Sequence, residues 1–156
     1  MRLISKNNYI WILGGGRMQY YNLLEAKNLG YKTIITDANE NCFCRSKADL
    51  FFKIDIFDIK KNVKLLSKIK NKINIKSVFI GGIDCVITAA TLAEKLNLVT
   101  SGVKIAKMTN NKFLFRKFLQ KNNLLDFSFL KISKVNNKTE KTIEKKIGYP
   151  FIVKNT

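Results

Sequence analysis

Histidine is absent from this chain of 156 residues, and cysteine and proline are scarce, at three and one. Without histidine, the pair Cys42 and Cys44 has no evident fourth ligand for zinc, so we expect these cysteines and Cys85 to be reduced thiols. One proline and eight glycines give no indication of a long disordered linker. The length suits one domain, or one domain and a piece of another.

Long apolar runs are also missing. The most apolar stretch, SVFIGGIDCVITAATLA, is interrupted by Asp84 and is too short to cross a bilayer. The first residues, MRLISKNNYIWILGGG, have too short an apolar run for a signal peptide and no small-residue cleavage site. We therefore expect no membrane partner and a cytoplasmic protein.

Acidic residues are few, 11 against 29 basic ones, which gives a net charge of +18. Only four of the basic residues are arginine, the side chain preferred for bidentate phosphate and base recognition. The excess of lysine, with much asparagine and isoleucine, is what an AT-rich genome produces. Lys60, Lys64, Lys68 and Lys72 form a stripe typical of a solvated helix face. A basic nucleic-acid-binding protein is therefore the least favoured function, and it predicts a steep loss of affinity with salt.

Short apolar runs alternate with amphipathic stretches in the first two thirds of the chain. The run from Tyr9 to Leu13 ends in three glycines, as a buried parallel strand does. Further strands are predicted at YKTIITD, DLFFKID and KSVFIGG, and helices over roughly Met18 to Leu29, from Asp58 to about Lys72 and from near Asp84. This alternation predicts an α/β, Rossmann-like fold, in which helices cover both faces of a parallel sheet.

The pattern changes after about Leu98. A helix is predicted from near Thr109 or Asn110, followed by a strand at FSFLKIS, a lysine-rich helix over Lys138 to Ile147 and a final strand at PFIVK. This β-α-β order is the opening of a second, α+β domain. We therefore predict a first domain over residues 1–108 and the beginning of a second over residues 109–156.

A glycine-rich stretch, LGGGRMQ, follows the first predicted strand. Backbone N–H groups near a helix N-terminus attract anions, and Gly14 and Gly16 match the first glycines of the dinucleotide pattern G-x-G-x-x-G. Gln19 replaces the third glycine, and Asp37 ends the second strand where a ribose-binding acid is expected. The stretch is either a tight turn or a ligand site. The second interpretation gives an alternative function, a stand-alone Rossmann-like dinucleotide-binding module.

Four more charged residues lie at or near the ends of predicted elements. Asp84 stands at a helix start, where it either caps the helix or contacts a substrate. Lys112 lies in the first turn of the helix from Thr109, where a cation opposes the helix dipole unless a phosphate is near, and Arg116 follows on the same side. Lys154 ends the last strand and offers a point charge for a nucleotide phosphate. The alternative for these cations is a solvated surface.

Taken in order, four stretches resemble the N-terminal part of an ATP-grasp ligase, of the carbamoyl-phosphate synthase large chain and biotin carboxylase kind. They are ILGGGRMQYYNLLEAKNLGYKTIITD, GGIDCVITAATLAEKLNL, NNKFLFRKFLQKNNL and IGYPFIVK. In that family a Rossmann-like pre-ATP-grasp domain precedes a split nucleotide-binding domain. A helix there opens with Asn/Asp-Lys, and a Gly-Tyr-Pro turn leads into a strand that ends in lysine.

The resemblance implies that Lys112 and Lys154 contact the phosphates of ATP, with Arg116 as a further candidate. It implies substrate contacts at Gly14, Gly15, Gly16, Arg17 and Asp84. The implied reaction is phosphorylation of a small carboxylate by ATP, followed by attack of an amine or other nucleophile on the acyl phosphate. Phosphoryl transfer requires mainly positioning and charge neutralisation, which suits a chain without histidine.

The resemblance also implies parts that follow this sequence. In the family a glycine-rich loop, the segment that binds adenine and the acidic ligands of Mg²⁺ come after the strand lysine. Magnesium ligands are therefore expected downstream of Thr156 and none within this chain. We expect the chain to be an inactive N-terminal fragment of an ATP-dependent ligase. The apolar face of its incomplete second domain predicts homo-oligomer contacts or aggregation.

Overall fold

The computed structural model describes residues 8–154. The chain divides into two compact units, of which the first ends at Ala106 and the second begins at Lys107. The first unit contains a four-stranded sheet formed by β1 (Asn8–Leu13), β2 (Lys32–Asp37), β3 (Leu50–Lys53) and β4 (Asn74–Ile80). The strands are all parallel and lie in the order β3-β2-β1-β4, which confirms the predicted α/β fold with a parallel sheet.

Helices cover both faces of this sheet because the side chains of a strand alternate between its two sides. Helix α1 (Arg17–Asn28) packs Leu23 against Ile12 and Ile35 on one face. Helices α2 (Ile59–Ile69) and α3 (Val86–Lys95) contribute Leu66 and Leu92 to a second cluster around Trp11 on the other face. The central strands are therefore apolar on both sides, which explains their continuous hydrophobic runs.

Two of the predicted helix ends in the first unit are correct and one is wrong. Gly30 follows the last residues of α1, and the Asp58 carboxylate accepts the Lys61 N–H at 2.9 Å at the start of α2. Asp84 does not cap α3, because the turn after β4 continues through Gly82, with φ of +66°, and the N-cap is Cys85. The capping interpretation of Asp84 is thereby corrected.

Three helices account for the regular structure around and within the second unit: α4 (Val103–Asn110), which spans the boundary, α5 (Lys112–Lys121) and α6 (Asn137–Lys146). Helix α5 begins later than predicted, because the Asn111 side chain, and not Thr109, accepts the Leu114 N–H, at 3.0 Å. Lys112 is nevertheless in the first turn, as predicted, because it is the first residue of α5.

The two strands predicted in the last third are not formed. The stretches FSFLKIS and PFIVK adopt no regular structure, because neither is hydrogen-bonded to a neighbouring strand within the described part of the unit. No residue from 107 to 154 whose exposure is described is fully buried. Apolar side chains such as Ile152, Val153 and Leu124 are mostly exposed, at 81%, 75% and 68%.

Among residues 8–154, no helix has both the length and the apolar character needed to cross a bilayer.

Candidate functional site

The glycine-rich loop connects β1 to α1 at the carboxyl edge of the sheet. Gly14, with φ of +90°, donates its N–H to the Thr36 carbonyl at 2.8 Å. The Gly15 N–H donates to Asp37 Oδ2 at 2.7 Å, and the Gly16 N–H donates to Gln19 Oε1 at 3.0 Å. The N–H groups of all three glycines are therefore hydrogen-bonded within the chain, and the Asp37 carboxylate accepts one of these bonds.

Close packing explains why the middle residue of this loop is glycine. A Cβ on Gly15 would overlap Cys42 Sγ and would lie 3.1 Å from Ile35 Cγ2. The Cys44 N–H donates to the Gly15 carbonyl at 2.8 Å, and its thiol lies 3.3 Å from the Gly16 carbonyl. Of the two interpretations of LGGGRMQ, the tight turn is thus the one that the geometry supports for Gly15.

The cysteines are free thiols, and burial is the main reason that their pKa values are raised. For Cys85 burial raises the pKa to about 11. In the described residues no group of three or more histidine, cysteine or acidic side chains is arranged to hold a metal ion.

Gln19 is a site residue that sequence reasoning did not identify. It lies in the first turn of α1 and is only 5% exposed. Its Oε1 accepts the Gly16 N–H, and its Nε2 donates to the Gly81 carbonyl in the loop after β4. The signal in the sequence was the long polar side chain at the position of the third glycine.

The loop between β4 and α3 packs against the same turn of α1. Gly81 contacts Asn22 so closely that a Cβ there would overlap the Asn22 amide, and a Cβ on Gly82 would lie 3.6 Å from Met18. Two predicted substrate segments, residues 14–17 and the loop that leads to Asp84, are thus brought to one edge of the sheet. Asp84 is exposed there, and so is Arg17.

The second unit contains a cavity of about 520 Å³. Arg116 from α5 and Lys154 from the end of the described chain both line it. Its walls are largely apolar and include Phe127, Phe129 and Phe151, and the Arg116 guanidinium lies 5.7 Å from the centre of the Phe127 ring. No acidic residue is among those lining the cavity.

Two of the three predicted phosphate contacts therefore line one cavity. Lys112 is exposed at the start of α5 and is not one of the lining residues. The cavity volume lies within the range of small-molecule sites, and two cations in a lining without acidic residues favour an anionic ligand. The lining residues include no carboxylate that could bind a divalent cation.

The chain is similar to curated proteins over most of its length. It is 27% identical over 145 residues to the N5-carboxyaminoimidazole ribonucleotide synthase of Staphylococcus aureus strain COL, an alignment that covers 93% of this chain and 37% of the relative. The same enzyme of Staphylococcus epidermidis strain RP62A is also 27% identical over 145 residues, with 36% of it covered. The chain thus spans little more than a third of these relatives. No protein-family model matches it.

Solved structures show the same fold. The N5-carboxyaminoimidazole synthetase of S. aureus in complex with ADP superimposes with a TM-score of 0.70 and 21% identity, over 96% of this chain and 38% of that one. Phosphoribosylglycinamide synthetase from Anaerococcus prevotii also gives 0.70, at 24% identity, over 88% and 35%. The finer resemblance to carbamoyl-phosphate synthase or biotin carboxylase stays a prediction. In sequence and in fold, the chain is thus similar to the N-terminal part of ATP-grasp ligases.

Proposed function

We propose that this chain provides the N-terminal part of an ATP-dependent ligase that joins a carboxylate to an amine or another nucleophile through an acyl phosphate. The observation that carries the proposal is the cavity of the second unit, where Arg116 and Lys154 provide two cations and no acidic residue is among the lining residues. The relatives, which are ligases aligned over 93% of the chain, support the reaction class.

In this proposal residues 1–108 form the pre-ATP-grasp domain and residues 109–156 begin the ATP-binding domain. The division of the chain between Ala106 and Lys107 supports such an arrangement. ATP is the proposed cofactor. Lys112, which precedes Arg116 by one turn of α5, is proposed as a further phosphate contact. Mg²⁺ is proposed to accompany ATP, and we assign it no ligand among residues 8–154 and no step.

The chemistry proceeds in two displacements. A carboxylate oxygen attacks the γ-phosphorus of ATP, the bond to the β-phosphate oxygen breaks, and ADP leaves. The nucleophile then attacks the carbonyl carbon of the acyl phosphate, loses a proton, and inorganic phosphate leaves. Arg116 and Lys154 would bind the nucleotide and offset its negative charge, since phosphoryl transfer depends chiefly on positioning and electrostatic stabilisation.

The names of the relatives identify a candidate for the nucleophile. An N5-carboxyaminoimidazole ribonucleotide synthase is named for the N-carboxylated form of an aminoimidazole ribonucleotide. We propose aminoimidazole ribonucleotide as the amine for this chain and a one-carbon carboxyl donor as its partner. Arg17 and Asp84, which are exposed at the carboxyl edge of the sheet, are the proposed side-chain contacts of this substrate, and Gly14, Gly15 and Gly16 would shape the surface beside them. A cytoplasmic location and a homo-oligomer, which would cover exposed apolar side chains of the second unit, complete the proposal.

The dinucleotide-binding alternative is not favoured. It requires the N–H groups of the glycine loop for a pyrophosphate and Asp37 for a ribose. Gly15 and Gly16 donate instead to Asp37 and Gln19.

Nucleotide binding tests the proposal. A fluorescent ADP analogue should bind the chain, NADH should not compete, and R116A and K154A should each weaken binding by roughly 10- to 100-fold. This factor corresponds to the loss of one charge-assisted contact, about 1.5–3 kcal/mol. K121A removes the same charge at the end of α5, from a residue that does not line the cavity, and should leave affinity within about twofold. Equal losses in all three variants would contradict a specific phosphate site.

A further inference from the structure

Two loops at the carboxyl edge of the sheet are joined through one buried amide. Gln19 is 5% exposed, and both ends of its amide are hydrogen-bonded, Oε1 to the Gly16 N–H at 3.0 Å and Nε2 to the Gly81 carbonyl. Gly16 and Gly81 lie 65 positions apart in the sequence and belong to the loops after β1 and β4. The Gln19 amide is therefore a direct polar connection between these loops.

The first loop packs closely around the Gln19 side chain. A Cβ on Gly14 would lie 3.4 Å from Gln19 Cδ, and a Cβ on Gly16 would lie 3.0 Å from Gln19 Oε1, so the first loop wraps closely around the amide. Asn22, one turn further along α1, contacts Gly81 from the same face of the helix. Both loops are thus fixed to the first two turns of α1.

We propose that Gln19 is a positioning residue that holds the loop of residues 14–17 and the loop leading to Asp84 as a single substrate-binding surface. The identity of the ligand in this inference rests on the proposed function, whereas the coupling of the two loops by Gln19 does not. A displacement of about 1 Å in a binding surface can cost on the order of a hundredfold in function, so the connection matters even though Gln19 touches no substrate. Its two hydrogen bonds can be tested separately, because Gln19 is the acceptor in one and the donor in the other.

The variant Q19E separates the two bonds. A carboxylate still accepts the Gly16 N–H, but it has no proton to donate to the Gly81 carbonyl. The Gly16 N–H and the N-terminus of α1 lower the pKa of the introduced carboxyl. Burial and repulsion from the facing Gly81 carbonyl oxygen raise this pKa more, because only the protonated form regains a donor to that carbonyl. The effect of Q19E should therefore be large at pH 8 and should diminish at pH 5.

The first measurement is hydrogen exchange of the chain itself, corrected for the intrinsic effect of pH. Q19E at pH 8 should lose protection at Ala89, whose N–H is bonded to the Cys85 carbonyl at the end of the second loop, while the amides of β1 and β2 keep theirs, and protection should return at pH 5. The matched control Q120E makes the same chemical change at an exposed position of α5 and should alter neither loop. Unchanged protection at Ala89 in Q19E, or a loss that is uniform over the first unit, would overturn the coupling.

The second measurement is the affinity for aminoimidazole ribonucleotide by calorimetry. At each pH the affinity of Q19E is divided by that of the unsubstituted chain. The affinity should fall by about tenfold or more at pH 8 and recover to within about threefold at pH 5. A ratio that does not depend on pH would overturn the positioning role. If the unsubstituted chain does not bind the ribonucleotide, the proposed substrate is wrong, and hydrogen exchange alone decides whether Gln19 couples the loops.

Discussion

Replacing Gly15 by alanine tests the structure of the glycine loop most severely. The added Cβ would overlap Cys42 Sγ and lie 3.1 Å from Ile35 Cγ2, both well inside ordinary van der Waals separations of about 3.5–4.0 Å. Overpacking of this kind costs roughly 1–3 kcal/mol, and a shift of the loop would also weaken the 2.7 Å hydrogen bond to Asp37. We expect G15A to destabilise the first unit by about 2–4 kcal/mol, a large part of the roughly 5–15 kcal/mol of a typical domain.

Urea unfolding followed by the fluorescence of Trp11 measures this cost, because Trp11 is the only tryptophan and is fully buried in the first unit. The variant C42A removes the overlapping sulfur and leaves Cys42 Cβ at 3.2 Å from the new methyl group. The double mutant should therefore recover about 1–2 kcal/mol relative to the sum of the single changes. A G15A protein as stable as the parent, or a cost that C42A does not reduce, would refute the packing argument.

Two further predictions concern ionisation and thiol reactivity. Burial raises the pKa of Asp49, but hydrogen bonds from Thr33 and the charge of Lys27 lower it more, so the folded-state pKa lies below 3.8. The stability that this carboxylate contributes is present above the unfolded pKa of about 3.9 and is lost as pH falls through the folded value. D49N should therefore be less stable than the parent at pH 6, and denaturation curves should show the difference shrinking as pH falls below about 4. A difference independent of pH would contradict this. Iodoacetamide at pH 8 should modify Cys42 at least about tenfold faster than Cys85, whose thiol is 2% exposed with a pKa raised to about 11, and equal rates by mass spectrometry in the folded chain would be inconsistent with the structure.

Local sequence patterns were sufficient to predict the first unit. The apolar run ending at Leu13, the Asp58 cap and the glycine after α1 each depend on neighbours within a few residues, and each was predicted correctly. The two strands predicted in the last third are not formed. Alternation of apolar and polar residues indicates that one face could be buried, but it does not provide a hydrogen-bonding partner, and no partner strand is present among the described residues.

The site residues show the same division. The first-turn position of Lys112 follows from local capping by Asn111. The sequence placed the helix start at Thr109 or Asn110, one or two residues earlier. The role of Gln19 depends on where Gly81 lies, 62 residues away, and no local pattern contains that information. The cavity shared by Arg116 and Lys154 likewise arises from the packing of segments that are distant in sequence.

The phosphate site of the second unit is tested most directly by covalent labelling of lysine. An acyl phosphate of ADP places a reactive carbonyl beside the bound phosphates, where a lysine amine attacks it and ADP leaves. The account predicts that mass spectrometry finds Lys154 as the main acylated lysine, and that excess ATP suppresses the label. Labelling that is spread over exposed lysines such as Lys60 and Lys64, or that ATP does not reduce, would contradict a nucleotide site at Lys154.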